Sequence, residues 1–314
     1  MSDGGSGNRR QGGRVASVEC GLLKVTGRDA VDLLHRLSTN DLRPLAEPGN
    51  AAATVFVTPH GKMLDWCFAM RTAAALWLET SPGRAARVQE WIGRYTILED
   101  VRVEDLSAAY RHLVVRGPTA GATGIPEVPA GKAVAVGGGV WRRSLEVYGA
   151  GADGVVPVAD AAAVLARAVA SGATQASPAE LEIERIDAGV PSPFAEFAGE
   201  INPLELRLGP VAVSFTKGCY VGQEVISRID SYDKLARVLT GFAAPASSVP
   251  GVAADVLLGG QPVGKVTSAV KGGAGRVTGL AVVRRERAAA AEVELVWAGG
   301  RTPARLEERG FWKT

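Results

Sequence analysis

The sequence predicts an α+β protein that ends in a small antiparallel β-barrel. Two observations predict this class. Up to about residue 233, short strand-like runs come in groups with amphipathic helices between the groups, whereas a βαβ protein would alternate strand and helix. From about residue 234, short β-type runs follow one another between glycine-rich turns, a pattern typical of a small barrel.

The first group of elements begins with alternating apolar and polar residues from Arg14 to Thr26, which predict one strand. The stripe of alanine and leucine between Asp29 and Leu37 predicts a helix, and the segment from Arg84 to Ile92 predicts another. The intervening strands are predicted over 51–58, 63–70 and 74–79, with a turn at 59–62.

The second group repeats this style. Strands are predicted over 111–116, 133–137, 140–147 and 154–158, with a helix over 159–170. Ser177-Pro178-Ala179-Glu180 is a capping-box pattern with proline at the first helical position, so a helix should run to Ala188 and end at Gly189.

The chain therefore divides into three parts. Residues 1–13 are predicted to be a disordered tail, 14–233 a body of two interwoven α+β subdomains, and 234–314 the barrel. The barrel strands are predicted over 236–244, 253–258, 263–269, 276–282 and 292–297.

Composition excludes several function classes. Among 314 residues, 46% are hydrophobic and 22% charged, which is ordinary for a globular protein, and a net charge of +2 gives no argument for direct nucleic-acid binding. No apolar run approaches the ~20 residues that span a membrane. Three scattered cysteines predict reduced thiols and a cytoplasmic location. Neither a P-loop nor a zinc-site spacing is present, so no resident metal is predicted.

Residues 217–224, Lys-Gly-Cys-Tyr-Val-Gly-Gln-Glu, are the most informative stretch. The residues after Gly222 have helical apolar spacing and an early acid, so a helix should start there. Helix amides and the charge of Lys217 would then favour the thiolate of Cys219. The competing interpretation, a small buried hydrophobe, is equally open for Cys219. Cys20 and Cys67 lie in apolar strands and are expected to be buried and inert.

This octapeptide resembles the K-G-C-Y-x-G-Q-E signature of the YgfZ-type folate-binding proteins, relatives of the glycine-cleavage aminomethyltransferase. Segments 25–41, 58–65, 185–191 and 202–205 are also similar, and the resemblance runs from about residue 15 to the end. It implies the aminomethyltransferase fold, with tetrahydrofolate in a central cavity. It also implies an accessory role in assembly, repair or maintenance of iron–sulfur enzymes, including those of tRNA modification.

The resemblance implies a set of site residues. Cys219 would act in a redox or cluster-handling step, and an iron–sulfur cluster could be held transiently between chains. The folate contacts would be Arg185, Asp65, Asp187 and Glu205, and the remaining motif positions are Lys217, Gly218, Tyr220, Gly222, Gln223, Glu224 and Arg228. For Arg185 and Asp65, a purely structural role is about as well supported by the sequence.

Two departures distinguish the chain from the transferases. They carry two adjacent acids where this chain has Asp65 and Trp66, and a pterin-holding glutamate where it has Ala152, although Asp153 could substitute. The departures disfavour aminomethyl transfer and leave folate binding open. A folate-dependent one-carbon transferase and a non-catalytic interaction scaffold are the alternatives. The expected partners are the folate and iron–sulfur enzymes or their assembly proteins.

Overall fold

The N-terminal segment divides between two different sheets. The computed structural model describes residues 13–117, 125–192, 201–245, 249–272, 276–289 and 292–312, so most of the predicted tail lies outside the described residues. The single strand predicted over 14–26 is wrong: the structure has β1 (Arg14–Val18) and β2 (Gly21–Thr26), which pair with different partners. Alternation along the chain could not show this, because both halves have the pattern of a strand.

The five-stranded sheet has the order β3-β4-β5-β2-β6. Two helices cover one of its faces and bury a core that includes Leu33, Leu34 and Phe56. The apolar helical stripe predicted from the sequence is the face that packs here. The elements are α1 (Ala30–Leu37), β3 (Ala51–Val57), β4 (Met63–Arg71), β5 (Leu76–Thr80), α2 (Ala85–Tyr95) and β6 (Arg102–Asp105).

The six-stranded sheet has the order β11-β1-β7-β10-β9-β8, with one helix packed against the face that buries Leu113, Ala152 and Ala168. The strand predicted over 140–147 ends earlier than expected, because Glu146–Tyr148 forms a 3₁₀ turn. The elements are β7 (Tyr110–Arg116), β8 (Ala133–Val136), β9 (Gly139–Arg143), β10 (Gly151–Pro157), α3 (Val158–Ala170) and β11 (Thr174–Gln175).

The capping box at Ser177 is confirmed. Ser177 Oγ accepts from the Glu180 amide, the Glu180 carboxylate accepts from the Ser177 amide, and the helix ends at Gly189 with φ 83°. This helix packs against the barrel and contributes Ile186 to a central core that also contains Tyr220 and Leu280. It is followed by a short helix and by the helix predicted after Gly222, so the elements are α4 (Pro178–Ala188), α5 (Gly209–Ala212) and α6 (Gln223–Ser231).

The predicted barrel is confirmed, with six strands where the sequence indicated five. The closed order is β12-β15-β14-β13-β16-β17. The additional strand, Gly300–Glu307, buries alternate residues and closes the barrel by pairing with both β16 and β12. The strands are β12 (Arg237–Pro245), β13 (Asp255–Leu258), β14 (Gln261–Lys271), β15 (Arg276–Arg284), β16 (Glu292–Trp297) and β17 (Gly300–Glu307).

The two sheets of the body face each other, and a buried ion network joins them. Between them lies a core that contains Leu22 from one sheet and Val155 from the other. Arg142 on β9 donates from Nε to Glu79 Oε2 on β5 (2.9 Å) and from Nη1 to Asp153 Oδ2 on β10 (3.0 Å). Burial disfavours the charge on Arg142, but the two carboxylates outweigh it, so the pKa of Arg142 is raised.

Substitution of Arg142 tests this connection. We expect Arg142→Met to lower the free energy of unfolding by about 3–5 kcal/mol, because Glu79 and Asp153 would be left buried without their shared cation. Chemical denaturation measures the loss. The matched control is Arg94→Met, whose ion pair with Glu90 is exposed and should contribute no more than about 1 kcal/mol. Equal losses in the two variants would show that the network does not hold the sheets together.

Candidate functional site

Lys217 of the octapeptide is buried and holds the C-terminal end of α1. Its ammonium donates to the carbonyl oxygens of His35 (2.5 Å), Ser38 (2.8 Å) and Asn40 (2.7 Å). A cation is favourable there because the last carbonyls of a helix have no partner within the helix. Burial, which disfavours the charged form, lowers the pKa of Lys217 to about 8.

This geometry corrects one expectation about the motif. The ammonium of Lys217 was expected beside the thiol of Cys219, but it is directed at α1. The helix that follows begins at Gln223, so Cys219 lies before its N-cap, Gly222. Lys217 therefore acts as an anchor of the segment that carries the thiol.

The rest of the octapeptide is fixed against the β3–β4 hairpin. Tyr220 is buried in the central core, and burial raises its pKa to about 12. Gly222 has φ 84°, and a Cβ there would lie 2.5 Å from the Thr58 carbonyl oxygen. Gly61 in the hairpin turn has φ 68°, and a Cβ there would lie 3.1 Å from the Val225 side chain of α6. Only glycine fits at position 222, where its backbone approaches that of Thr58.

Cys219 is the exposed thiol of the chain, and Gly218 before it is also exposed. Among the described residues no hydrogen bond or ion pair of Cys219 is found. Cys20 and Cys67 are buried, as the sequence predicted. Burial, then Glu79, raises the pKa of Cys20 to about 12, and burial also raises the pKa of Cys67. The motif thus holds one accessible thiol at the surface while its neighbours anchor the segment.

The last motif residues lie on α6. Gln223 begins the helix, Glu224 occupies the first turn, where an acid complements the helix dipole, and Arg228 occupies the last turn. Glu224 and Arg228 are exposed. The prediction of a helix after Gly222 is therefore confirmed, and its charged residues remain available to a partner.

A cleft of about 390 Å³ lies between the two sheets and α4. Its aromatic lining comes from Trp66, Phe68 and Tyr148. The guanidinium of Arg142 stacks over Phe68 at 3.6 Å, and that of Arg116 over Tyr148 at 4.3 Å. Such stacking holds flat surfaces in place, which suits the binding of a flat ligand.

The polar wall of the cleft consists of charged side chains that pair with one another. Asp153 accepts from Arg116 Nη1 (2.9 Å) as well as from Arg142, and His112 lies between Asp153 and Glu79. Burial opposes the ionisation of Asp153, but the two arginines outweigh it and hold its pKa well below the usual range. The carboxylate at this wall is therefore already engaged by protein cations.

The predicted folate residues are dispersed. Arg185 lines the cleft. Asp187, on the same helix, is half exposed and accepts from Thr278 of the barrel. Glu205 is buried and binds the guanidinium of Arg237 at the start of β12. Three of the predicted site residues do not line the cleft: Asp187, Glu205 and Cys219.

Asp65 and Trp66 point to opposite faces of β4. Asp65 is fully buried on the face that carries Cys67, where it accepts from the Ser81 amide (2.8 Å) and hydroxyl (2.5 Å). Burial raises the pKa of Asp65. Trp66 lines the cleft. The side chain that faces the cleft from this pair is thus an indole and not a carboxylate.

The alternation of side chains along a strand also separates Ala152 from Asp153, the acid that could substitute for the missing glutamate. Ala152 is buried in the core beneath α3, whereas Asp153 lines the cleft. Four residues of the cleft were not among the predicted site residues: Trp66, Tyr148, Arg116 and Arg142. Strand alternation placed Trp66 and Phe68 on one face, but nothing local showed which face a second sheet would cover.

Comparisons with known proteins agree with this architecture. The GCVT N-terminal domain family matches residues 9–123, and the glycine cleavage T-protein C-terminal barrel domain family matches residues 237–313. The chain is homologous to the aminomethyltransferase superfamily. The octapeptide and α4 lie between the two matched ranges, so these matches do not assign the chain to the YgfZ type.

Individual relatives point to two kinds of protein. An aminomethyltransferase of Symbiobacterium thermophilum is 28% identical, covering 94% of this chain and 84% of its own. A mitochondrial iron–sulfur cluster assembly factor IBA57 homolog of Mycosarcoma maydis is 29% identical over 66% of this chain. A chloroplastic protein of Arabidopsis thaliana that carries a transferase name is 29% identical over 85%. The chain spans 51% of the Mycosarcoma protein and 64% of the Arabidopsis protein.

A solved structure shows the same fold. The glycine cleavage system aminomethyltransferase T from Bartonella henselae superimposes with a TM-score of 0.80 over 96% of this chain and 87% of its own, at 19% identity. Among the described residues, no helix has the length and apolarity needed to cross a membrane.

One prediction from this site concerns Gly222. We expect Gly222→Ala to destabilise the protein by about 1–3 kcal/mol, because the new Cβ would collide with the Thr58 carbonyl and alanine is strained at this φ. The matched control is Gly218→Ala, since no atom lies within 4 Å of a Cβ at that position. Thermal unfolding of both variants measures the difference. If both melt at the wild-type temperature, the close approach does not constrain the motif.

Another prediction concerns the three thiols. At pH 7 to 8, iodoacetamide should alkylate Cys219 first, because Cys20 and Cys67 are buried and their raised pKa values keep them protonated. Mass spectrometry of the intact folded protein measures the order of labelling. In denaturant the three thiols should react at similar rates. If Cys219 reacts most slowly in the folded protein, the thiol is not presented as described.

Proposed function

We propose that the protein is a tetrahydrofolate-binding accessory factor for the assembly, repair or maintenance of iron–sulfur enzymes. The observation that carries the proposal is the presentation of Cys219. Lys217, Tyr220 and Gly222 anchor its segment to α1, the central core and the hairpin, while the thiol itself is exposed. A segment fixed so firmly around an accessible thiol suits a thiol that acts on a partner.

The cleft supports the folate part of the proposal. Its volume of about 390 Å³ lies within the range of small-molecule sites, about 300–1,000 Å³. Trp66, Phe68 and Tyr148 offer apolar contacts to flat rings, and Arg185 offers a guanidinium to a carboxylate. Tetrahydrofolate combines these features, since it has a pterin, a benzoyl ring and a glutamate tail. The similarity to aminomethyltransferases adds to this support.

Cys219 would act on iron–sulfur chemistry as a thiolate. Thiolates are the usual protein ligands of iron–sulfur clusters, but one thiolate cannot complete a cluster site. The remaining ligands would therefore come from a partner, so a cluster would be cargo passed between chains. The similarity to a protein named as an iron–sulfur cluster assembly factor supports this role. The three cysteines of this chain are free, which favours action in a reducing compartment, and we propose that this is the cytoplasm.

The second candidate is a folate-dependent one-carbon transferase, which the similarity to aminomethyltransferases favours. Two features of the cleft oppose it. Trp66 faces the cleft where an acid would be needed for proton transfer, and the oxygens of Asp153 are engaged by Arg116 and Arg142. Measured aminomethyl turnover would support this candidate. An interaction scaffold without a ligand is the third possibility and predicts no folate binding.

The folate site can be tested by calorimetry. Tetrahydrofolate should bind the wild-type protein saturably, and Arg185→Ala should weaken binding at least about tenfold, because a bidentate charged contact is lost. The matched control is Arg167→Ala, an exposed arginine in the last turn of α3, which should bind as the wild type does. An absence of binding by the wild type at millimolar ligand would favour the scaffold.

The role of the thiol can be tested in cells that lack the native copy. Cys219→Ser should abolish support of iron–sulfur enzyme activity, while the purified variant keeps its stability and its folate binding. Thr216→Ala changes an exposed neighbour in the same segment and should complement fully. Full complementation by Cys219→Ser would remove the thiol from the proposed function.

A further inference from the structure

The guanidinium of Arg185, one of three that line the cleft, is bound to a carboxylate of the protein itself. Glu182 and Arg185 lie one turn apart on α4, and both line the cleft. Arg185 Nε donates to Glu182 Oε2 at 2.9 Å, and Arg185 Nη2 donates to Glu182 Oε1 at 2.6 Å. This is the parallel two-bond geometry with which arginine also binds the carboxylate of a ligand.

Arg185 is held in place by groups other than Glu182. Its Nη1 donates to the Val190 carbonyl oxygen at 2.6 Å, and its Nη2 donates to Ser268 Oγ of the barrel at 2.7 Å. Only 14% of the arginine side chain is exposed. The position of the guanidinium therefore does not depend on the glutamate, and it would stay in place if the glutamate moved.

Glu182 is the more exposed partner of this pair, so it is the one whose side chain can turn away. Its side chain is 46% exposed, so its carboxylate can turn to solvent with little loss of hydration. An ion pair of this spacing on a helix is a weak interaction when its carboxylate is half exposed. By contrast, Glu79 and Asp153 are buried and tied to Arg142, and Glu184 is bound to Arg14 at 2.7 Å. Among the cleft carboxylates that are paired with an arginine, Glu182 is thus the one that is easiest to displace.

We propose that Glu182 competes with a ligand carboxylate for the same two-bond position on Arg185. A ligand that brings its own carboxylate replaces Glu182, whose side chain then turns to solvent. A ligand without a carboxylate leaves the pair intact and gains nothing from Arg185. Glu182 therefore lowers the affinity of the cleft for carboxylate ligands and leaves its affinity for ligands without a carboxylate unchanged. The proposal rests on the function proposed above in taking folate as the carboxylate ligand.

The experiment compares three probes by calorimetry. Tetrahydrofolate has the pterin, the benzoyl ring and the carboxylates, p-aminobenzoylglutamate has the benzoyl ring and the carboxylates without the pterin, and tetrahydropterin has no carboxylate. Glu182→Gln should strengthen binding of the first two about two- to fivefold, the factor that corresponds to a weak helical ion pair, and leave the third unchanged. The matched control is Glu90→Gln, which removes an exposed helical ion pair outside the cleft and should change none of the three.

Two results would overturn the competition. One is equal or weaker binding of the carboxylate probes by Glu182→Gln. The other is an equal gain for tetrahydropterin, which would show that the substitution opens the cleft in general. If the variant and the wild type bind all probes equally, only the competition fails and the folate site stands. If neither protein binds any probe, the folate site fails and the competition fails with it.

Discussion

The buried network around Arg142 is the interaction on which the cleft depends. The five-stranded sheet contributes Glu79, and the six-stranded sheet contributes Arg142 and Asp153. Loss of the shared cation would leave two buried carboxylates without it, which is strongly destabilising. The arginine also stacks on Phe68, which fixes the aromatic side of the cleft. One residue therefore sets both the spacing of the sheets and the shape of the cavity between them.

The octapeptide is also held in place by a buried cation. A buried ammonium, Lys217, joins two segments of the chain that are 177 to 182 residues apart. Tyr220 and Gly222 complete the attachment, so Cys219 is carried by a segment that has little freedom to move. If Cys219 acts on a partner as proposed, a thiol held in this way lowers the conformational entropy that is lost on binding.

The thiol and the cleft are separate features of one body. Cys219 does not line the cleft, and the cleft lies between the sheets and α4. Helix α4 contacts both the cleft and the barrel, because Arg185 reaches Ser268 and Asp187 reaches Thr278. A ligand that exchanges with Glu182 would therefore bind at the helix that joins the body to the barrel.

The sequence by itself determined the α+β class, the capped helix at Ser177, the barrel and the helix after Gly222, whereas the exposure of Cys219 was decided by the structure. The features that the sequence determined depend on local patterns, such as a period of two or 3.6 residues, a capping residue or a glycine turn, which are encoded by neighbours in the chain. Only the tertiary structure decided that the strand predicted over 14–26 belongs to two sheets, that Asp65 faces the core while Trp66 faces the cleft, and that Lys217 serves α1. Each of these outcomes depends on which distant segment covers a given face, and a periodic pattern gives the faces of an element without giving its neighbours.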